Sequence, residues 1–277
     1  MAKRRGNGGA ITVEEGWTTI QHGINRLIDN IEDIQEPIIN TEERMEIYTT
    51  AYNICLYDKI YGHECQKLYE RYNQVFQDYI SSKVMPCLVG KEGDNLLQEI
   101  VKRWENHKFM TIWISKFFIY LTRYFIPCGI LPTLQESSYS IFYKLILGVH
   151  EVMDSLMSMI QRLRIGDPQV NQNLVRSAID MYMEIGKDYY EKDFEKNILK
   201  QTRQFYSHMA LDWINDENIS YKGYMLKVNE YLMIERLRVA FFLKENTRLK
   251  LIKVVNRELL SMYDTESEEK MKSCILN

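Results

Sequence analysis

Five prolines punctuate 277 residues, at Pro37, Pro86, Pro127, Pro132 and Pro168, and each falls between stretches of helical hydrophobic periodicity. Proline lacks an N–H and its ring clashes with the preceding turn, so helix interiors exclude it and helix boundaries tolerate it. Asn-Gly and Asp-Gly pairs, the usual marks of hairpins, are few. The chain therefore reads as all-α. Helix starts are legible as well. Thr12 with Glu15 makes a capping box, Asn40 with Glu43 a looser one, and Asp167 precedes Pro168 as a cap before a first-turn proline.

The periodicity predicts helices over Thr12–Asp33, Glu42–Tyr57, Glu64–Ser81, Asn95–Asn106 and Lys108–Ile126. After the Pro127–Pro132 break a second set covers Tyr139–Leu163, Gln169–Gly186, Tyr190–Asn215, Tyr221–Glu245 and Leu249–Tyr263. Leu68, Tyr72, Val75, Phe76 and Tyr79 form the apolar face of the third helix, and Leu97, Ile100, Val101 and Trp104 that of the fourth. Two successive sets of five helices suggest a repeat architecture, in which each unit buries a face against its neighbour. The abrupt ending after Tyr263, with no polar capping helix, reads as a shortened version of something longer.

Two of these helices carry more apolar surface than one core face can bury. In MEIYTTAYNIC (Met45–Cys55), Ile47, Ala51, Ile54 and Cys55 make one stripe, and Met45, Tyr48 and Tyr52 make a second on a neighbouring face. WENHKFMTIWISKFFIYLTRYFI (Trp104–Ile126) is apolar over most of its length. A helix with a buried stripe and an aromatic one is either sandwiched inside its domain or docks a partner.

Composition narrows the partner. Net charge is −3, with 45% hydrophobic and 26% charged residues, so nothing global draws the chain to nucleic acid or an anionic membrane. Lys3, Arg4 and Arg5 form the one basic cluster, in a Gly-rich start over residues 1–11 that reads as a solvated tail. Lys116 and Arg123 interrupt the apolar run from Phe109 to Ile126. Each would cost about 2.5–3.5 kcal/mol at a bilayer centre, so a buried protein helix is expected there and no membrane partner. Five cysteines without a C-x-x-C pair, and no apolar leader segment, point to a reducing cytoplasmic or nuclear setting. The five histidines never fall at paired ligand spacing, so no metal is expected.

Catalytic constellations are missing from the sequence: there is no phosphate loop, no dinucleotide glycine motif, no nucleophile elbow and no H-E-x-x-H. The expectation is a non-enzyme with no catalytic residues and no cofactor. Cys274-Ile275-Leu276-Asn277 has the form of a prenylation signal, but Asn is not among the usual final residues and prenylation is not expected.

Taken in order, EEGWTTIQHGINRL (Glu14–Leu27), ERMEIYTTAYNIC (Glu43–Cys55), KLYERYNQVFQDYI (Lys67–Ile80), VKRWENHKFMTIWISKFFIYLTRYFI (Val101–Ile126), YEKDFEKNILKQTRQFYSHMALDWI (Tyr190–Ile214) and YMLKVNEYLMIERLRV (Tyr224–Val239) resemble the amino-terminal region of the cullins, the scaffolds of multisubunit ubiquitin ligases. The wording is most similar to plant members of the class that binds Skp-type adaptors. The resemblance implies an elongated stack of five-helix cullin repeats, the first over residues 12–132 and the second over 133–263. Residues 264–277 would be a tail or the truncated start of a third. It implies adaptor binding through the second and fifth helices of the first repeat, and through the adaptor the engagement of F-box substrate receptors. The matching positions are Arg44, Met45, Tyr48, Tyr52, Met110 and Tyr120. The family's RING-binding half and its modified lysine have no counterpart here, so no RING subunit is expected. Alternatives remain: a BTB-type adaptor on the same face, or a helical interaction protein or decayed paralogue with no adaptor. Exposure of Tyr48 and Tyr52 beside Tyr120 separates docking from mere packing.

The sequence also departs from the family. Arg44 stands where many members have an aromatic residue, Thr122 replaces an aspartate, and QRLRIGD (Gln161–Asp167) lacks the charges of the usual E-R-E-x-G run. Such changes suit a paralogue under relaxed constraint.

Overall fold

A computed structural model describes residues 11–32, 39–56, 62–148 and 150–275. The basic tail at Lys3–Arg5, the Pro37 break and the side chain of Cys274 lie outside the described residues. The described chain is helical, without a strand. It divides into two compact units, one ending at Val152 and the other beginning at Met153.

The first unit is built from α1 (Val13–Glu32), α2 (Thr41–Leu56), α3 (His63–Tyr79), α4 (Gly93–Phe117) and α5 (Leu134–Phe142). Both expected caps at its start are present. Glu15 N–H donates to Thr12 Oγ1 at 3.3 Å while Thr12 N–H donates to Glu15. Glu43 N–H donates to Asn40 Oδ1 at 2.8 Å. The buried face of α2 is Ile47, Ala51, Ile54 and Cys55, the stripe read from spacing. In α3, Leu68, Tyr72, Val75, Phe76 and Tyr79 are buried as anticipated.

Helices α1 and α2 approach closely because α1 has glycine at the crossing. A Cβ on Gly23 would lie 2.2 Å from Ile47 Cδ1, inside any allowed contact. Glycine costs a helix about 1 kcal/mol relative to alanine, and here it is what admits the neighbouring helix.

Two prolines are treated differently from the expectation. Pro86 and Pro127 do not separate helices. Each follows a wide, π-type turn (Ile80–Val84 and Leu121–Phe125) and sits in the first turn of a short helical continuation, Met85–Leu88 and Ile126–Gly129. The wider turn removes the demand for an N–H at the proline and opens room for its ring.

Helix α4 also corrects a boundary. The polar run Asn106-His107-Lys108 reads as a break, yet the helix passes through it, because His107 is a core residue. Its ring lies among Trp104, Phe76 and Phe142, at 5.8, 5.0 and 4.9 Å between centroids. Its Nε2–H donates to the Ser138 carbonyl at 3.0 Å, and burial pushes its pKa down to about 3. Trp104 meets Tyr139 and Phe142 of α5, at 4.6 and 5.0 Å. Tyr72 donates to the Leu134 carbonyl at 2.9 Å. These contacts hold α5 in the first unit, so the division between compact units falls twenty residues beyond the repeat boundary expected at 132/133.

The second unit contains α6 (His150–Arg164), whose first three residues precede the division, then α7 (Gln172–Ile185), α8 (Lys196–Asn215), α9 (Tyr221–Phe242) and α10 (Glu245–Ile275). The cap of α7 is Asn171, whose side chain accepts from Asn173 and Leu174 N–H. Asp167 instead closes a turn by accepting from Gln169 N–H at 2.9 Å, which lets Val170 bury before the helix begins. Helix α10 runs past the expected end at Tyr263 to Ile275, through a segment rich in the good helix formers Glu, Lys and Met.

The QRLRIGD segment contributes an ion pair to the core. Arg164 donates to Glu235 at 3.0 Å, with side chains 1% and 0% exposed. Arg164 also donates to Thr202 Oγ1 at 2.5 Å, and Arg238 donates to Glu235 from the other side. Arg162 pairs with Asp167 at 2.8 Å.

Candidate docking surface

Helix α2 presents its second stripe outward. Met45 is 53% exposed and Arg44 is exposed, while Tyr48 and Tyr52, one turn apart, are half-buried. Their rings stack at 6.4 Å. Tyr52 then meets Tyr120 edge to face at 5.5 Å, and Tyr120 meets Tyr124 at 4.8 Å. Four tyrosines thus form a ladder that runs from α2 across to the helical segment following α4. Tyr124, 57% exposed, ends it. Burial pushes the Tyr120 hydroxyl pKa up, consistent with its place beneath Tyr52.

The ladder is held by ordinary packing. Ile47, Ala51, Ile54 and Cys55 anchor α2 from behind, and Phe118 and Leu121 are fully buried beneath Tyr120 in sequence register. The wide turn Leu121–Phe125 sets the presentation of Tyr124. Tyr124 was not among the sequence candidates, although its i, i+4 spacing from Tyr120 carries the signal.

Five of the six candidates lie at this surface: Arg44, Met45, Tyr48 and Tyr52 on α2, and Tyr120 opposite them. Met110 is a correction. It is 0% exposed, on the inner face of α4 with Thr111, Ile114 and Phe117, and cannot touch a partner without unpacking the core. The outer face of α4 carries Phe109 and Ile112 instead, 37% and 56% exposed, with Trp113 half-buried. Phe109 and Trp113 lie 5.9 Å apart, and the Lys116 ammonium caps the Trp113 ring at 4.1 Å. Thr122 and Arg123 are exposed at the edge of the ladder.

The question whether Tyr48 and Tyr52 pack or project has a mixed answer. Tyr52 spends one edge on Tyr120, and both rings keep part of their surface open. The surface is an apolar, aromatic patch with exposed charged residues of both signs, Glu42, Arg44 and Glu46, along α2, suited to protein contact. Among the described residues, no group of three or more His, Cys, Asp or Glu side chains gathers as a metal site, and no helix is long and apolar enough to cross a membrane.

The family model for the cullin alpha solenoid domain matches residues 24–277. Cullin-1 of Oryza sativa subsp. japonica is 40% identical over 270 residues, which cover 95% of this chain and 36% of that protein. Cullin-2 of Arabidopsis thaliana is 35% identical over 254 residues, 90% of this chain and 34% of that protein. Cullin-like protein 3 of Arabidopsis thaliana is 34% identical over 249 residues, which cover 88% of this chain and 94% of that protein. The chain belongs to the cullin family. It spans about a third of the length of cullin-1 and cullin-2 and nearly all of cullin-like protein 3.

Proposed function

We propose that this chain is a cullin-type scaffold that docks a Skp-type adaptor on the tyrosine ladder, and through it an F-box substrate receptor, in the setting of ubiquitin-dependent protein turnover. The observation that carries the reading is the continuity of Met45, Tyr48, Tyr52, Tyr120 and Tyr124 across two helical segments, half open to solvent. Large amphipathic rings already fixed by their neighbours lose little entropy on docking, and such rings are where binding energy concentrates. The 40% identity to cullin-1 and the plant-like wording of the motifs support the choice of adaptor class.

The two compact units correspond, on this reading, to two cullin repeats.

Calorimetry of the purified chain with a Skp-type adaptor tests the proposal, alongside a Tyr48→Ala/Tyr52→Ala variant of intact helicity. Submicromolar binding that the variant loses is the expected result. A well-folded chain that does not bind sinks the proposal and moves the search to BTB-type adaptors.

A further inference from the structure

A cleft of about 790 Å³ opens within the second unit, between the end of α7, the wide turn Tyr190–Glu195 and the start of α10. Its floor is a closed chain of hydrogen bonds. Tyr190 donates to Thr247 Oγ1 at 3.0 Å, Thr247 donates to Glu195 at 2.8 Å, and the Lys250 ammonium donates to the other carboxylate oxygen at 2.7 Å. Tyr190, Glu195 and Thr247 are buried, so the floor is set before anything binds.

The walls divide by chemistry. Met183 and Leu249 are apolar, and Leu249 is 53% exposed. Lys187, Lys244, Lys250 and Lys253 line the same cleft as Glu191, Glu195 and Glu245. Each glutamate is already paired: Glu195 with Lys250, Glu191 with Lys187 at 3.7 Å, and Glu245 with Arg248. Lys244 and Lys253 are exposed, and neither has an ion-pair partner among the described residues.

We propose that this cleft docks a short acidic segment of a partner protein. One apolar side chain of the segment seats against Met183 and Leu249, and carboxylates flanking it reach Lys244 and Lys253. The charge balance selects this occupant. With glutamates interspersed among the lysines the lining is only mildly cationic. A polyanion such as RNA, or an anionic lipid surface, would press its charge against Glu191 and Glu245. One or two carboxylates match the lysines left over and leave the existing pairs intact. Ion pairs at an exposed rim contribute little alone, so the apolar side chain carries the affinity and the carboxylates set its orientation. The cleft shares no residue with the tyrosine ladder and does not depend on what docks there.

Fluorescence anisotropy of the full chain with labelled short peptides, each with a central Leu, Met or Phe between Asp or Glu residues, reads the binding. The best of them should bind at about 10–100 μM, as suits a contact confined to one cleft. Lys244→Glu/Lys253→Glu, at exposed positions and with helicity unchanged by circular dichroism, should weaken it at least about tenfold. The same variant should favour a peptide whose acids are replaced by lysine. Serine in place of the central apolar residue should also weaken binding. With methyl-labelled methionine, the Met183 resonance, assigned through Met183→Leu, should shift on binding. Tyr48→Ala/Tyr52→Ala should bind the peptide as the natural chain does. No peptide bound up to about 1 mM overturns the proposal. So does binding indifferent to Lys244→Glu/Lys253→Glu or to loss of the central apolar residue. Anionic vesicles or single-stranded RNA that bind where the peptides do not, and fail to bind the lysine variant, would reassign the cleft to a polyanion.

Discussion

Tyr52 and Tyr120 stand edge to face, 5.5 Å apart and 68 residues apart in sequence, and they join α2 to the segment beyond α4. One contact thereby serves two ends: it stabilises the first unit and fixes the middle of the outward surface. A double-mutant cycle separates these roles. Tyr52→Phe and Tyr120→Phe should be mild, whereas Tyr52→Ala and Tyr120→Ala should couple by about 0.5–1.5 kcal/mol in urea unfolding. Additive losses would mean that the two rings stabilise the fold independently.

Met110 should behave as a core residue. Met110→Ala is expected to destabilise the chain by about 2–5 kcal/mol. Adaptor affinity per folded molecule should be unchanged. A variant with unaltered unfolding and weakened adaptor binding would return Met110 to the surface.

Acid should act through His107. Its folded pKa of about 3 lies below its ordinary value of 6.5, so the unfolded chain binds more protons between the two. The stability contributed by neutral His107 is complete above pH 6.5 and drains away as pH falls toward 3. The slope from this group approaches about 1.4 kcal/mol per pH unit. Urea unfolding at pH 7.5 and 5.0 should show a larger loss for the natural chain than for His107→Gln. Equal losses would remove His107 as the source.

The Arg164–Glu235 pair gives a fourth test. Glu235→Leu leaves Arg164 buried without its counter-charge and should cost about 3–5 kcal/mol. Arg164→Met/Glu235→Leu should recover much of that loss, since an apolar pair avoids desolvating two charges. Arg238 also contacts Glu235, so the recovery will be incomplete. A double variant as damaged as the single one would place the cost in packing.

How legible was this in the sequence? The inner stripe of α2 and the apolar face of α3 were, because helical spacing maps directly onto burial. The fate of Met110 was not. It depends on the rotation of α4, and the expected break at Asn106–Lys108 severed that helix from the Trp104 face that sets the rotation. A histidine is polar by type; it takes Trp104, Phe76 and Phe142 around it to make a core residue of His107. The core ion pair was hidden for a similar reason. Arg164 finds Glu235 71 residues away, a pairing invisible to local pattern.

The contact between Gly23 and Ile47 carries a consequence for how such a surface can change over evolutionary time. Gly23 lies on α1, on the side of α2 away from the tyrosines, yet any larger side chain there must first turn aside the Ile47 side chain that anchors the helix bearing them. Drift in partner preference therefore need not begin at the partner. A single methyl group added behind α2 disturbs the seat of Ile47, which anchors the helix carrying Tyr48 and Tyr52, so selection on that outward surface reaches into residues that never face it.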